Sequence, residues 1–164
     1  MTDGVEMSGA LDGIRVLDLS TLVQGPQAAA MLHDLGAEVL KIELPEIGDM
    51  GRHVGIVEEL GTSVFWEACN RGKRSVTLDL RTEAGKEAFL KLVEISDVVV
   101  SNFQPGTLEG WGLGYEDLAA INPGVIWAAG SFLGPTGPDA LREGADIVGE
   151  AAGGVIAGDQ KSVV

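Results

Sequence analysis

Short apolar runs alternate with amphipathic segments along most of the chain. Residues 14–19 (IRVLDL) are rich in apolar and β-branched side chains, which is typical of a buried strand in a parallel sheet. Pro26 suits the first turn of a helix over residues 27–35, and a second strand is predicted at residues 38–43. The same criteria predict strands at residues 75–80, 97–101 and 125–131, a helix that Thr82 caps, and helices at residues 115–121 and 145–152.

This alternation of strands and helices predicts the fold class. Strand–helix–strand units with short connections form right-handed parallel crossovers. We therefore expect an α/β fold with a Rossmann-like open parallel sheet and flanking helices. Residues 44–61 contain Pro45, several glycines and scattered charges, so we expect a long loop there, of the kind that often carries function.

Composition and charge narrow the functional classes. The 164 residues are 45% apolar and 22% charged, an ordinary globular balance that fits one domain. The formal net charge of −14 argues against nucleic acid or an anionic membrane as a partner. Cys69 is the single cysteine, which excludes an internal disulfide and fits a reducing, cytoplasmic setting.

The chain divides into three expected parts. Residues 1–10 lack the features of a signal peptide and are expected to form a flexible leader. Residues 11–158 are expected to form the α/β unit, and residues 159–164 a short tail. The apolar runs have the length of strands, so we expect no membrane span.

A cluster of cations precedes the strand at residues 75–80. Arg71, Lys73 and Arg74 place three of the chain's eleven cations within four residues. In an acidic protein such an island can bind a phosphate group. On the charge pattern alone, a solvated turn whose cations pair with carboxylates such as Glu67 is the more common outcome.

Two turns supply further candidates for ligand binding. Gly25 and Pro26 form a tight strand-to-helix turn whose free amides can approach a phosphate or carbonyl oxygen, although an ordinary turn explains them equally well. Asn102 and Phe103 follow the strand at residues 97–101, at the carboxyl edge where open α/β sheets bind ligands. Phe103 can stack on adenine or line an acyl pocket; alternatively, Asn102 forms an Asx-type turn and Phe103 belongs to the core.

Three segments resemble one known family. LDGIRVLDLSTLVQGPQAAAMLHDLGAEVLKIELPEIGDMGR, NRGKRSVTLDL and SNFQPGTLEGWGLGYEDLAAINP are similar to motifs of the family III CoA-transferases, which include formyl-CoA transferase, carnitine CoA-transferase and the α-methylacyl-CoA racemases. The resemblance covers residues 11–158, the leading part of the family fold. It implies transfer of CoA from an acyl-CoA to a carboxylic acid without a metal, and an interlocked homo-oligomer. It also implies a set of CoA-binding residues, which are Val23, Gln24, Arg71, Lys73, Asn102 and Phe103.

The resemblance assigns no catalytic residue to these 164 positions. The family uses an aspartate nucleophile that lies further along its sequences, and Asp159 follows Gly153 and Gly154 too closely to match its context. Racemisation is disfavoured because Ala145 replaces the acid–base histidine of the racemases. We therefore expect the isolated chain to bind CoA without catalysis. The alternatives are a non-catalytic subunit that a partner chain completes, or a truncated, inactive remnant.

Overall fold

The computed structural model describes residues 9–142, 144 and 146–154. Its strands are β1 (Arg15–Asp18), β2 (Glu38–Glu43), β3 (Ile56–Val57), β4 (Thr62–Ser63), β5 (Arg74–Thr77), β6 (Val98–Ser101) and β7 (Ile126–Ala129). Its α-helices are α1 (Gln24–Asp34), α2 (Val64–Asn70), α3 (Glu83–Val93), α4 (Thr107–Gly110), α5 (Tyr115–Ile121) and α6 (Asp146–Ala152), with a 3-10 helix at Met50–His53.

Five strands form a parallel sheet in the order β5-β2-β1-β6-β7. The chain first adds strands on one side of β1 and then returns to its other side, so the order reverses between β1 and β6. This arrangement confirms the predicted α/β class with an open parallel sheet. The carboxyl edge at such a reversal is the usual ligand site of doubly wound folds.

Buried apolar side chains hold the helices against the sheet. Val99 in β6 and both Phe89 and Val93 in α3 are completely buried on one face. On the other face, Ala29 and Ala30 are completely buried, and their small side chains let α1 pack closely on the sheet. Burial of large apolar side chains stabilises the fold by roughly 1.5–3 kcal/mol each.

The predicted long loop contains more structure than its sequence suggests. The 3-10 helix and β3 lie within residues 44–61, and β3 pairs with β4 directly after them as an antiparallel hairpin. Asp49 caps the 3-10 helix by accepting a hydrogen bond from Gly51 N at 2.6 Å. Such short elements depend on local side-chain caps and leave no periodic apolar pattern to detect.

Some predictions lie outside the described residues. These predictions concern the structures of residues 1–8 and 159–164, and the roles of Ala145 and Asp159. Within the described part of the chain, no helix is both long enough and apolar enough to cross a bilayer.

Candidate functional site

The connection after β1 and the end of β6 meet at the reversal in strand order. Asn102 Oδ1 accepts a hydrogen bond from Thr21 N at 2.8 Å, and Asn102 Nδ2 donates one to Thr21 O at 2.8 Å. The side chain of Asn102 thus joins the two strand ends. Both segments therefore lie at the carboxyl edge of the parallel sheet.

A cavity of about 340 Å³ opens at this edge, over the ends of β1, β2 and β5. Phe103 and Trp111 form one wall, with ring centroids 5.6 Å apart and an interplanar angle of 70°. Much of the remaining lining is apolar and comes from Leu19, Leu44, Ile47, Leu78 and Leu80. An apolar cavity with a few polar groups at its edge is the usual form of a small-molecule site.

Arg81 lies at the rim of this cavity. Its Nε and Nη2 each donate a hydrogen bond of 2.8 Å to a different oxygen of Asp79, while 59% of its side chain stays exposed. These hydrogen bonds lower the pKa of Asp79 to about 2, so the carboxylate remains ionised and keeps the guanidinium oriented. A guanidinium in this position can bind a phosphate group of a ligand in the cavity.

A second cavity, of about 200 Å³, lies over the ends of β6 and β7. Phe103 lines it as well, so its ring belongs to the walls of both cavities. Trp127, Pro105 and Leu108 make much of its surface apolar. Ser131 Oγ is buried at this cavity and has no hydrogen-bond partner within the described part of the chain, which leaves it available to a ligand.

Four buried charges lie beneath the connection after β1. Lys73 Nζ lies 2.7 Å from Asp18 Oδ2, and Lys41 Nζ lies 2.6 Å from Asp49 Oδ2 and 3.5 Å from Asp18 Oδ2. All four side chains are at most 1% exposed. Their formal charges cancel, and we call them the buried tetrad.

The segment after β2 is held by a separate ion pair. Arg52 donates hydrogen bonds of 2.7 Å to both carboxylate oxygens of Glu43, and its guanidinium carbon lies 3.4 Å from the centre of the Trp66 ring. Burial alone raises the pKa of Glu43, but hydrogen bonds from Arg52, Ser75 and the Asp49 amide outweigh this effect and lower the pKa to about 2. Glu43 therefore stays ionised and anchors one wall of the first cavity.

The predicted cations do not form one patch. Arg71 pairs with Asp34 at the end of α1, roughly 14 Å along the helix from Gly25. Lys73 points inward, and burial lowers its pKa although Asp18 opposes the shift. Arg74 stays 78% exposed and lies 3.6 Å from Glu38. Whether Arg71 and Lys73 bind a phosphate stays a prediction.

The remaining predicted residues lie at the carboxyl edge. Val23 precedes α1 and is 44% exposed, and Gln24 begins that helix. Gln24 reaches the end of β7, where a Cβ on Gly130 would lie 3.0 Å from its Oε1. Sequence reasoning missed Arg81 and Trp111. The position of Arg81 just beyond a predicted strand, on the same edge as Asn102, was a usable signal.

Three or more metal-binding side chains do not come together anywhere in residues 9–142, 144 and 146–154. The candidate site consists of two apolar cavities, an oriented arginine and the first turn of α1. Such an arrangement can bind and orient an anionic, partly apolar molecule.

Comparison with known proteins identifies a family and several relatives of this chain. The model of CoA-transferase family III matches residues 11–162. Succinyl-CoA–D-citramalate CoA-transferase of Chloroflexus aurantiacus is 45% identical over 145 residues, which are 88% of this chain and 36% of that protein. The beta subunit of succinyl-CoA–L-malate CoA-transferase from the same organism is 42% identical over 153 residues, covering 93% of this chain and 38% of that protein.

Solved structures of similar proteins also superimpose on this chain. A CAIB/BAIF family protein from Brucella suis superimposes with a TM-score of 0.83 at 44% identity, over 90% of this chain and 40% of that chain. A Mycobacterium tuberculosis protein gives a TM-score of 0.84 at 42% identity, over 90% of this chain and 41% of that chain. The chain thus spans about two fifths of the length of the proteins that it matches.

Proposed function

The chain belongs to CoA-transferase family III, and we propose that it binds the CoA part of an acyl-CoA whose CoA is transferred to a carboxylic acid. The observation that carries this proposal is the first cavity, with an aromatic wall and an oriented arginine at the carboxyl edge of the sheet. Doubly wound sheets bind nucleotide-containing ligands at this place.

Each part of CoA has a suitable environment at the site. Phe103 and Trp111 offer ring surfaces to the adenine, and Arg81 offers a guanidinium to a phosphate. Val23 and Gln24 lie beside the positive end of the α1 dipole, which favours an anionic group or a polarised carbonyl oxygen. The second cavity, with Ser131 at its edge, suits the acyl group.

The reaction needs no redox step. The acyl-CoA gives up its CoA thiol, a second carboxylate takes the thioester, and the first acid leaves as its carboxylate. In this proposal the described residues bind and orient the CoA, and none of them is assigned as the nucleophile. A reducing, cytoplasmic setting remains part of the proposal, supported by a single, buried cysteine, Cys69.

Several relatives suggest a first substrate. Transferases of Chloroflexus aurantiacus and Haloarcula hispanica carry succinyl-CoA in their names. We therefore propose succinyl-CoA as the first acyl-CoA to test. The carboxylic acid that receives the CoA stays open.

Calorimetric titration of the full chain with CoA and with succinyl-CoA tests the proposal. Arg81→Gln removes the rim cation and is expected to weaken binding of both by roughly 10-fold, as the loss of a charged hydrogen bond implies. Arg142→Gln is the matched control, because Arg142 is exposed, pairs with Asp139 and lines neither cavity. Failure of the folded chain to bind either compound would overturn the proposal, as would equal binding by all three proteins.

A second proposal concerns assembly with another chain. The segment from Ile47 to Phe65 exposes several large apolar side chains, among them Ile56 at 57% and Leu60 at 68%. Such a cluster on one segment is typical of an interface rather than of a free surface. Some relatives are named as alpha and beta subunits, which also supports a complex.

We propose that this segment contacts a second copy of the chain. Light scattering after gel filtration is expected to show a dimer or larger oligomer for the natural sequence and a smaller species for Ile56→Glu with Leu60→Glu. A monodisperse monomer of the natural sequence would contradict this proposal. Copurification of a different chain in fixed ratio would replace it with the complementing-subunit alternative.

A further inference from the structure

Residues 20–26, which comprise the end of the connection from β1 and the first three residues of α1, are held in place by side chains from outside this segment. Ser20 donates from both N and Oγ to Asp18 Oδ1, and Ser20 O accepts from Lys41 Nζ. Further along, other side chains bond directly to the backbone. These contacts are Asn102 with Thr21 N and O, Asp49 Oδ1 with Leu22 N at 2.9 Å, and Lys73 Nζ with Pro26 O at 2.8 Å.

The backbone of this connection adopts a conformation that needs support. Leu22 has φ 65°, in the left-handed region that residues with a Cβ rarely occupy. Its side chain is 41% exposed, so packing of that side chain does little to fix the conformation. The hydrogen bond from Leu22 N to Asp49 Oδ1 therefore stabilises this strained backbone conformation.

Lys73 has its hydrogen-bonding capacity used within the protein. Its ammonium group donates to Asp18 Oδ2, Pro26 O and Asn70 Oδ1 at 2.7, 2.8 and 2.8 Å. Three donors and three acceptors match, and the side chain is 1% exposed. A phosphate can bind this ammonium group only if the ion pairs of the buried tetrad are broken first.

The side-chain amide of Asn102 also forms its hydrogen bonds within the protein. One acceptor and one donor of its amide bond to the backbone of Thr21, 81 positions earlier in the chain. This pairing ties residues 20–26 to the end of β6, beside Phe103 and the cavities. It acts on the loop in the absence of a ligand.

We propose that Lys73 and Asn102 are positioning residues, which serve CoA binding by fixing residues 20–26 rather than by touching CoA. The buried tetrad fixes this loop from beneath, and Asn102 fixes it from the neighbouring strand. The loop then presents Val23, Gln24 and the first turn of α1 in a set shape before the ligand arrives. This inference rests on the proposed function as far as CoA is concerned, whereas the preset loop is a property of the chain alone.

The test compares Asn102→Ala with Asn122→Ala. Asn122 is a matched control because its amide also bonds to backbone, donating to Val93 O and Ser96 O at the opposite edge of the sheet. Three quantities are measured on the full chain: the Kd for CoA, the midpoint of urea unfolding, and amide hydrogen exchange of residues 20–26 without ligand, where all but Pro26 carry an amide hydrogen. Both variants are expected to unfold at lower urea concentration. Asn102→Ala alone is expected to speed exchange in the loop and to raise the Kd at least 10-fold.

Exchange without ligand separates positioning from direct contact. If Asn102 touches CoA and does not hold the loop, Asn102→Ala weakens CoA binding while exchange of residues 20–26 in the free chain stays as in the natural sequence. That result would overturn the inference. Equal Kd increases in Asn102→Ala and Asn122→Ala would overturn it too, because they would indicate a general loss of stability.

Salt dependence gives the corresponding test for Lys73. A cation on a phosphate contributes to the slope of binding against salt concentration, whereas a buried positioning cation does not. Lys73→Met is therefore expected to raise the Kd and leave the slope unchanged, while Arg81→Gln lowers the slope. A lower slope in Lys73→Met would overturn the inference.

Failure of the natural chain to bind CoA would be a distinct outcome. It would refute the proposed function, and the exchange measurement would then decide the loop inference by itself. Faster exchange of residues 20–26 in Asn102→Ala, with no change in Asn122→Ala, supports the preset loop even in that case. Unchanged exchange in Asn102→Ala overturns it.

Discussion

At the scale of single residues, the buried tetrad places four formal charges where water cannot reach them. Asp18 lies between Lys41 and Lys73, and Lys41 also pairs with Asp49. Desolvation of such groups opposes their mutual attraction, so the intact set contributes little net stability. Removal of one member is different, because it leaves its partner buried without a counter-charge.

Lys73→Met tests this asymmetry. The substitution is expected to lower the free energy of unfolding by about 3–5 kcal/mol, since it leaves the network with one excess negative charge. Adding Asp18→Asn restores neutrality, so the double variant is expected to lose less than the sum of the two single variants. Urea unfolding gives the free energy of unfolding of the natural chain, the two single variants and the double variant. Additive losses would show that the two side chains do not interact, and Arg71→Met, at an exposed pair, serves as the control.

Glu43 predicts a dependence of stability on pH. Its pKa falls from 4.5 to about 2 in the folded chain, so the ionised form stabilises the fold. This contribution, about 3 kcal/mol, is complete above pH 4.5 and disappears as the pH falls toward 2. The difference in unfolding free energy between the natural chain and Glu43→Gln is therefore expected to shrink over that interval. A constant difference would contradict the prediction, and Glu116→Gln, at an exposed position outside the proposed interface, provides the control.

At the scale of elements, the entry into α1 depends on the absence of a side chain at Gly25. A Cβ there would overlap Cβ and Oγ of Ser20, which is itself bonded to Asp18. The helix can therefore begin directly above the buried tetrad. This close approach explains the Gly-Pro turn better than a need for backbone flexibility does, because Gly25 has no left-handed φ.

Gly25→Ala is expected to destabilise the chain by about 1–3 kcal/mol, the usual effect of overpacking a tight contact. Gly110→Ala is the control in another helix, since a Cβ at Gly110 meets nothing within 4 Å and its φ is negative or extended. That variant is expected to be neutral or slightly stabilising. Thermal unfolding of both proteins is the measurement. Equal melting temperatures would show that Ser20 moves aside without penalty.

The main sheet could be predicted from sequence because its strands are rich in apolar and β-branched residues. Residues 38–43 were predicted as the strand that the structure shows as β2, and residues 115–121 as the helix α5. The seven-residue helix α2 was missed, since Ser63 and a few local contacts define it without a long amphipathic pattern. At the site, the place of Asn102 and Phe103 at the carboxyl edge of the sheet could be predicted from sequence. The inward direction of the Lys73 side chain could not. That direction depends on Asp18, 55 positions away, which a local charge pattern does not reveal.

At the scale of the whole molecule, the strand order concentrates the candidate site at one edge. The reversal between β1 and β6 brings the loop at residues 20–26 beside Asn102, and β5 delivers Arg81 to the same edge. The chain as a whole is strongly acidic, with a formal net charge of −14. A polyanionic ligand such as CoA must therefore approach against the general field and be retained by local contacts.

This opposition predicts how salt affects CoA binding kinetics. Screening weakens the long-range repulsion, because the Debye length falls to about 10 Å at 0.1 M ionic strength. The association rate constant is therefore expected to rise between roughly 0.02 M and 0.2 M salt. The same salt weakens the contact of Arg81 with a phosphate, so the dissociation rate constant is expected to rise as well, and to rise less in Arg81→Gln. Stopped-flow mixing with a fluorescent CoA derivative measures both constants. An association rate that falls with added salt would show that local positive potential at the rim, and not the net charge of the chain, governs the approach of the ligand.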